Sequence, residues 1–271
     1  HPAHSRPLRT MPLARDQAVC LRTLGYSETS QIVTLLTREH GRVRLMAKGA
    51  RRTTKAGKGK FDGGLDLLDV GHALFNHLPE KELSLLTEWK LEAGHLALRK
   101  DLRAIYLGLY CAEVVDRLIE EHDPHPRLYD QLVRLLERLA GESVREAVAL
   151  AFVLNVLRQT GVLPDFRRTT DRRSLIDVAA AGEPLAFDGE RAEFIAGEAA
   201  DDLVRMSRSA VAVQPGAIRA IVDLLSLART GGGLPEVSRD AADAAHRLLT
   251  AHIQYQTGSK LRMARYVLDQ L

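Results

Sequence analysis

The chain has 271 residues, of which 45% are hydrophobic, with 38 Lys and Arg, 35 Asp and Glu and only two cysteines. Cys20 and Cys111 lie far apart, which excludes a disulfide framework and a four-cysteine zinc site and favours a reducing, cytoplasmic setting. The longest apolar run, near residues 147–154, is less than half of what a bilayer core requires, and we expect neither membrane insertion nor export. Residues 1–11, which include "HPAHSRPLRT", show no periodicity and are predicted to be a disordered leader or a tag.

The segment 12–93 is predicted to contain five short strands, because β-branched and alternating runs are separated there by turn residues. Five short antiparallel strands favour a small closed barrel of the OB type. The runs are "AVCLRTL", "SQIVTLLTR", "RVRLMAKGA", "LDLLDVGHALFNH" and "LSLLTEWKL".

The second and third runs are predicted to form a β-hairpin. The intervening "EHG" supplies a turn in which Gly41 is free to adopt positive φ. The third run alternates between two sets of residues: Val43, Leu45 and Ala47 on one face, and Arg42, Arg44, Met46 and Lys48 on the other. The first set is therefore expected in the core, and the second faces solvent or a ligand.

Residues 38–60 hold nine Lys and Arg and a single carboxylate, so the rest of the chain is net negative. Such concentrated positive charge attracts and orients a polyanion. Cations that alternate along a strand lie about 7 Å apart, close to the phosphate spacing of an extended single strand. We therefore predict a DNA-binding surface on the strand and the basic loop after it, made by Arg38, Arg42, Arg44, Lys48, Arg51, Arg52, Lys55, Lys58 and Lys60. The alternative is a solvated hairpin that only confers solubility.

Base stacking has less support than phosphate binding in this segment. The available aromatic residues are Tyr26, Phe61, Phe75 and Trp89, and Trp89 suits a core position at least as well. Phosphate contacts are independent of sequence, so binding should fall steeply with salt and discriminate little among sequences.

The segment 94–271 changes to a period of about 3.6 and is predicted to be mainly helical. The first helix carries an apolar stripe of Leu102, Ile105, Leu109, Ala112 and Ile119, broadened by Tyr106, Tyr110, Val114 and Leu118. A second helix carries Leu128, Leu132, Leu135, Leu136 and Leu139, and a third, over residues 144–159, is apolar enough to be central. Helices are also predicted over 217–229, 239–256 and 260–270, with Ser238 as an N-cap. Residues 162–215 form a polar insertion, part of which is compatible with a short hairpin.

Three stretches resemble the bacterial recombination mediator family RecO: "SETSQIVTLLTREHGRVRLMAKGARR", "FVLNVLRQTGVLPDF" and "LLTAHIQYQTGSKLRMARYVLDQL". The resemblance spans most of residues 17–271 and implies an OB-fold joined to an α-helical domain without catalytic activity. It also implies a cytoplasmic, nucleoid-associated protein of DNA repair and recombination. Such proteins bind single- and double-stranded DNA, anneal complementary strands and, with RecR, help RecA to replace single-strand-binding protein in the RecFOR pathway.

The chain departs from the family pattern where many members carry two CxxC pairs that bind a structural zinc. The corresponding windows read "FRRTTDRR" and "EFIAGEAADD" and contain no cysteine. Tetrahedral zinc needs four suitable ligands, so no metal and no other cofactor is expected. The arginines of the first window, Arg167, Arg168, Arg172 and Arg173, either extend the DNA surface or form a solvated turn.

The resemblance further implies a hydrophobic pocket on the helical domain, flanked by basic residues, that takes the acidic C-terminal tail of single-strand-binding protein. Arg99, Lys100 and Arg103 are the candidates for that role, with ordinary solvent exposure as the alternative. Two other functions stay open at this point. One is a helical adaptor that does not bind nucleic acid directly, and the other is an OB-fold RNA or tRNA binder.

No catalytic constellation is evident in the sequence. His122 and His125 in "EEHDPHP" lie between prolines in a helix-terminating turn, which argues against a metal site. Cys111 lies on an apolar helix and is expected to be a buried, inert thiol. The loop "KAGKGKFDGG" lacks the GxxxxGK[ST] pattern of a nucleotide-binding loop, so ATP binding is not expected.

Overall fold

The computed structural model describes residues 13–50, 60–62, 64–140, 144–230 and 232–268. The chain divides into two compact units, the first made of His1–Gly94 with Glu121–Tyr129 and the second of His95–Glu120 with Asp130–Leu271. Among the described residues, no helix is long and apolar enough to cross a bilayer.

The first unit is a closed barrel. Its strands are β1 (Leu13–Gly25), β2 (Gln31–Thr37), β3 (Gly41–Ala47), β4 (Phe61–Asp62), β5 (Val70–Asn76) and β6 (Ser84–Ala93). The sheet order is β3-β2-β1-β5-β6-β4, and an additional parallel pairing between β3 and β6 closes the sheet on itself. The predicted five-stranded barrel is confirmed, and the two-residue strand β4 adds a short sixth element.

The predicted hairpin is formed by β2 and β3, which pair antiparallel from Gln31 with Ala47 to Thr37 with Gly41. Gly41 has φ +71°, and a Cβ there would collide with the backbone of Asp123, so only glycine fits this turn. Burial along β3 alternates strictly, with Val43, Leu45 and Ala47 inside the barrel core. The alternation of apolar and polar residues along β3 thus determines which face of the strand is available to a ligand.

The second unit is mainly helical. Its helices are a 3₁₀ turn (Leu98–Lys100), α1 (Leu102–Leu118), α2 (Pro126–Leu139), α3 (Arg145–Gln159), α4 (Leu175–Ala180), α5 (Glu198–Met206), α6 (Pro215–Thr230), α7 (Arg239–Thr257) and α8 (Ala264–Leu268). The first turn of α2 belongs to the barrel unit. The central position predicted for α3 is confirmed, because ten of its residues are buried and it packs against α1, α6 and α7. The Ser238 side chain accepts a hydrogen bond from the backbone N–H of Ala241, as predicted for an N-cap.

The apolar stripe predicted for α1 is partly wrong. Leu102 is 58% exposed, and the buried face instead includes Leu107, Cys111 and Val114. This helix is apolar over much of its circumference, so the period alone does not decide which side meets the other helices.

The insertion contains a small antiparallel sheet of β7 (Leu185–Asp188), β8 (Glu193–Ala196) and β9 (Ala210–Ala212), with β7 in the middle. The expected short hairpin is formed by β7 and β8. Three buried phenylalanines pack together here, with ring centroids 4.9 Å apart for Phe187 and Phe194 and 5.3 Å apart for Phe166 and Phe194. An apolar cluster therefore holds this region together.

Candidate nucleic-acid interface

The outer face of the β2–β3 hairpin carries the predicted cations on a fixed backbone. Arg42 and Arg44 project from β3 on the side opposite the core residues and are partly buried. Lys48 follows the end of β3 and is exposed, and Lys60 is exposed just before β4. Arg38 lies in the turn that precedes Gly41. These five predicted residues all belong to the barrel unit, as the sequence indicates.

The strand register adds a cation that sequence reasoning missed. Arg22 of β1 pairs with Thr34 of β2, and Thr34 pairs with Arg44 of β3. Paired residues point to the same side of a sheet, and neighbouring strands are about 4.8 Å apart, so Arg22 and Arg44 flank Thr34, itself only 5% exposed, on the face opposite the barrel core. A bulge between Cys20 and Arg22 sets this register. A bulge shifts every later side chain to the other face, which a strand pattern alone does not reveal.

Of the predicted cations that the structure describes, three are paired with carboxylates of the protein itself. Arg38 lies 2.6 Å from Glu39, Arg42 lies 3.4 Å from Glu121, and Arg44 lies 2.8 Å from Glu82. The pairs differ in burial. The Arg44 and Glu82 side chains are 34% and 83% exposed, whereas those of Arg42 and Glu121 are 18% and 28% exposed. Phosphates must therefore compete with these carboxylates for the strand arginines.

Other cations of the same surface are not paired in this way. Among the described residues, no carboxylate lies within ion-pairing distance of Arg22, Lys48 or Lys60. The predicted loop residues Arg51, Arg52, Lys55 and Lys58 lie outside the described residues, so their role stays a prediction. The described part of the surface thus combines exposed single cations with exchangeable ion pairs.

The aromatic residues are mostly withdrawn from this surface. Trp89 and Phe75 are each 1% exposed and belong to the barrel core, and Phe61 is half-buried against that core. Tyr26, in the β1–β2 turn, is 66% exposed. Of these four rings, Tyr26 alone is open to a base, so cations are the main chemical feature of the surface.

In the helical unit, Arg103 lies at the centre of a buried ion-pair network. Its Nε donates to Glu146 at 2.9 Å, one Nη donates to Glu146 at 2.8 Å and to Asp243, and the other donates to the Val267 carbonyl at 2.6 Å. Burial opposes its charge, but the hydrogen bonds to Glu146 and Asp243 raise the pKa of Arg103. Burial raises the pKa of the Asp243 carboxyl more than Arg103 lowers it. This guanidinium is therefore already bound on several sides by its own chain.

The other two candidates of the predicted partner site are exposed. Arg99 and Lys100 lie in the 3₁₀ turn that precedes α1. Leu96 and Leu102, on either side of that turn, are 74% and 58% exposed. The role of Arg99 and Lys100 in binding a partner stays a prediction.

A concave site lies elsewhere in the helical unit. A cavity of about 360 Å³ opens among α2, α3, α6 and the residues after α6, and its apolar lining includes Leu135, Phe152 and Leu224. Three arginines also line this cavity: Arg134, Arg138 and Arg158. Apolar walls with convergent cations suit a peptide that carries both apolar side chains and carboxylates. Sequence reasoning missed this site because its cations come from two helices that meet only after folding.

Two family models match the chain. One, described as "Recombination protein O N terminal", matches residues 11–95, and the other, "Recombination protein O C terminal", matches residues 99–264, which is more than half of the chain. The chain belongs to the RecO family. DNA repair and recombination, with an accompanying nucleic-acid interaction, are therefore its functional context.

Curated relatives named "DNA repair protein RecO" are similar to this chain. The protein of Rhodopirellula baltica is 40% identical over 153 residues, which cover 56% of this chain and 55% of that protein. The protein of Salinibacter ruber is 34% identical over 212 residues, or 78% of each chain. That of Myxococcus xanthus is 32% identical over 254 residues, covering 93% of this chain and 96% of its own. The chain thus matches about half the length of the first relative and nearly all of the third.

In this RecO family member, the first of the two windows, residues 166–173, forms a turn closed by hydrogen bonds and ion pairs, whereas the second lies in β8 and α5. The backbone N–H of Thr169 donates to the Arg173 carbonyl at 3.0 Å, and its hydroxyl donates to Asp171. Arg173 in turn lies 2.7 Å from Asp171 and 2.8 Å from Glu183. Among the described residues, no group of three or more metal-ligating side chains could hold a metal ion. The residues present do not fit a tetrahedral zinc site.

The remaining arginines of that turn are exposed. Arg167 pairs with both carboxylate oxygens of Asp165, whereas Arg168 and Arg172 reach solvent. Their place in the DNA surface or in a solvated turn stays open.

Two further groups considered in the sequence have ordinary surroundings in this RecO family member. His125 lies 2.8 Å from Asp123 in an exposed turn. Cys111 is fully buried, and burial raises the pKa of its thiol, as expected of an inert core cysteine. Neither arrangement indicates a catalytic centre.

Proposed function

We propose that this protein is a recombination mediator without catalytic activity that holds single- and double-stranded DNA on the outer face of its barrel. The row of Arg22, Thr34 and Arg44, continued by Lys48, is the observation that supports this proposal most strongly. Cations on adjacent strands define a band that a phosphate chain can follow. The bacterial cytoplasm and nucleoid are the corresponding location.

The proposal includes annealing of complementary strands. A surface that binds phosphates and offers few exposed aromatic rings leaves the bases of the bound strand free to pair. Proteins that stack every base on an aromatic side chain hold those bases away from a second strand. The burial of Phe75 and Trp89 supports the first arrangement.

The proposal also includes the acidic tail of single-strand-binding protein as a partner of the helical unit. The cavity lined by Arg134, Arg138 and Arg158 offers the chemistry that such a tail needs: apolar walls for its side chains and guanidinium groups for its carboxylates. Tail binding at one unit and DNA binding at the other would place the protein on covered DNA, where, with RecR, it would help RecA to load.

The DNA part is tested with the variant Arg22→Glu/Lys48→Glu and labelled single-stranded DNA. For the unmodified protein, the logarithm of the binding constant should fall linearly with the logarithm of salt concentration. Removing two phosphate contacts should reduce that slope by roughly 1.4 and lower affinity about tenfold or more at low salt. Strand annealing should fall in parallel. The matched control is Arg205→Glu/Arg219→Glu, which makes the same change in net charge at exposed arginines of α5 and α6.

A salt dependence close to zero in the unmodified protein would remove the barrel face as the site. Annealing that survives the double substitution unchanged would remove the annealing assignment. Competition by RNA as strong as that by DNA would favour an RNA-binding function instead.

A further inference from the structure

A row of apolar side chains crosses the outer face of the barrel beside the cations. Leu24 of β1 pairs with Ile32 of β2, which in turn pairs with Met46 of β3. Met46 also pairs with Leu85 of β6. Leu24 is 52% exposed, and the other three side chains are half-buried. Because paired residues point to the same side of a sheet, the four side chains form one continuous surface, which we call the apolar row.

The apolar row lies next to the row of Arg22, Thr34 and Arg44, which we call the cation row. On β1, Arg22 is two residues from Leu24, and on β3, Arg44 is two residues from Met46. Side chains two positions apart on a strand share one face and are about 7 Å apart. The two rows therefore run side by side across the same three strands.

The outer face of β5 and β6 has a different composition. There, His72 pairs with Lys90 and lies 3.4 Å from Glu92. One apolar side chain, Leu74, is paired with Glu88 on that face. Scattered apolar residues are ordinary on a protein surface, whereas a contiguous apolar patch rimmed by polar groups marks a binding site. The apolar row is thus a local feature of the side of the barrel that carries the cation row.

We propose that the apolar row contacts the deoxyribose units of a bound strand and thereby selects DNA over RNA. This inference rests on the proposed function of the cation row. When phosphates lie on Arg22 and Arg44, the next part of each nucleotide is its sugar, whose carbon atoms suit apolar side chains. Ribose would place its 2′-hydroxyl against Ile32 and Met46, whose side chains offer it no strong hydrogen-bond partner. Deoxyribose has no such group to bury.

The composition of the apolar row favours contact with sugars over stacking of bases. Bases stack on flat aromatic side chains, and the apolar row contains no aromatic residue. Branched and flexible aliphatic side chains such as Ile32 and Met46 can follow the uneven carbon surface of a sugar. A strand held through its phosphates and sugars keeps its bases free to pair, as the proposed annealing requires.

The test compares three labelled oligonucleotides of equal length on the unmodified full-length protein by fluorescence anisotropy. They consist of deoxyuridine, uridine or 2′-fluoro-2′-deoxyuridine, so that base and phosphates are the same and only the 2′ position differs. We expect the deoxyuridine strand to bind about tenfold more tightly than the uridine strand, because an unpaired hydroxyl is costly to bury. The fluorinated strand keeps a ribose-like ring shape without a hydroxyl donor, and should bind within about twofold of the deoxyuridine strand.

Variants then locate the selection. Ile32→Thr/Met46→Gln introduces polar atoms of similar size that can bond to the 2′-hydroxyl, so the preference for deoxyuridine should fall to about twofold or less. The matched control is Leu13→Gln/Leu74→Thr, which makes two apolar-to-polar changes on the outer face away from the apolar row. It should keep the full preference. An unchanged salt dependence of deoxyuridine binding in both variants reports that the barrel is folded.

The outcomes distinguish this inference from the proposed function. If no strand binds with a steep salt dependence, the DNA surface fails, and the inference fails with it. If uridine binds as tightly as deoxyuridine, the inference fails and an RNA-binding function is favoured. A preference that persists in Ile32→Thr/Met46→Gln, or that disappears in the control variant, overturns the role of the apolar row and leaves the DNA surface standing. The same holds if the fluorinated strand binds as weakly as uridine, because selection would then depend on ring shape.

Discussion

Arg44 of the barrel and Arg103 of the helical unit are both bound by carboxylates, yet they occupy opposite environments. The Arg44 side chain is 34% exposed and its partner Glu82 is 83% exposed. Arg103 is 13% exposed, and its partners Glu146 and Asp243 are each 11% exposed. Water screens the first pair, so Glu82 can be exchanged for a phosphate at little cost. The second cannot lose a partner without leaving a buried charge uncompensated.

Arg44 is thus suited to binding a ligand, whereas Arg103 stabilises the fold. Both arginines are assigned a ligand-binding role from the sequence, Arg44 from the basic run of residues 38–60 and Arg103 from the resemblance to the RecO family. The role of an arginine–carboxylate ion pair depends on its burial. At the surface, the carboxylate competes with a ligand for the arginine. In the interior, the ion pairs of Arg103 hold α1, α3 and α7 together.

The largest effect is expected from Arg103→Ala. The substitution leaves Glu146 without its cation and leaves Asp243 with only Arg239, 3.7 Å away, so the free energy of unfolding should fall by about 3–5 kcal/mol. The matched change Arg44→Ala should cost less than about 1 kcal/mol. Urea unfolding of both variants measures the difference. Equal losses would contradict the assignment of Arg103 to a structural network.

A pH effect is expected from His246, which lies beside this network. His246 is 0% exposed, and burial, followed by the charge of Arg103, lowers the pKa of its imidazole to about 3. Its folded pKa is below its unfolded value of about 6.5, so below pH 6.5 the unfolded chain gains a proton that the folded chain does not. The stability it contributes is complete above pH 6.5 and is lost as pH falls towards 3.

The free energy of unfolding should therefore be lower by about 2 kcal/mol at pH 5 than at pH 7 because of His246 alone. His246→Leu should reduce the difference in unfolding free energy between pH 7 and pH 5 by that amount. The value at pH 7 serves as the control, because it reports the packing cost of the substitution alone. A variant with the same pH dependence as the unmodified protein would show that His246 is not held neutral.

The smallest effect is expected at the surface pair. Glu82→Gln should release Arg44 for phosphate and raise the affinity for single-stranded DNA about two- to fourfold at low salt. Glu88→Gln removes the same charge from an exposed position of β6 and should give a smaller gain. Fluorescence anisotropy measures both variants. Equal gains would mean that only overall charge changed and that Glu82 does not mask Arg44.

The amino-acid sequence alone was sufficient to predict the β2–β3 hairpin, the two faces of β3 and the central helix α3. These features follow from the spacing of apolar residues, with a period of two in strands and 3.6 in helices, and from a glycine at a turn. All of these signals lie within short stretches of consecutive residues. The basic character of residues 38–60 is likewise a property of the sequence. So is the absence of cysteines from residues 166–173 and 193–202.

Only the tertiary structure decided which cations are available. Arg22 joins the row of Thr34 and Arg44 through strand pairing and a bulge, and Arg103 is withdrawn by carboxylates 43 and 140 residues away. The cavity with Arg134, Arg138 and Arg158 likewise exists only where α2, α3 and α6 meet. Charge is a property of each residue, but exposure and pairing depend on contacts between distant parts of the chain, which no local pattern encodes.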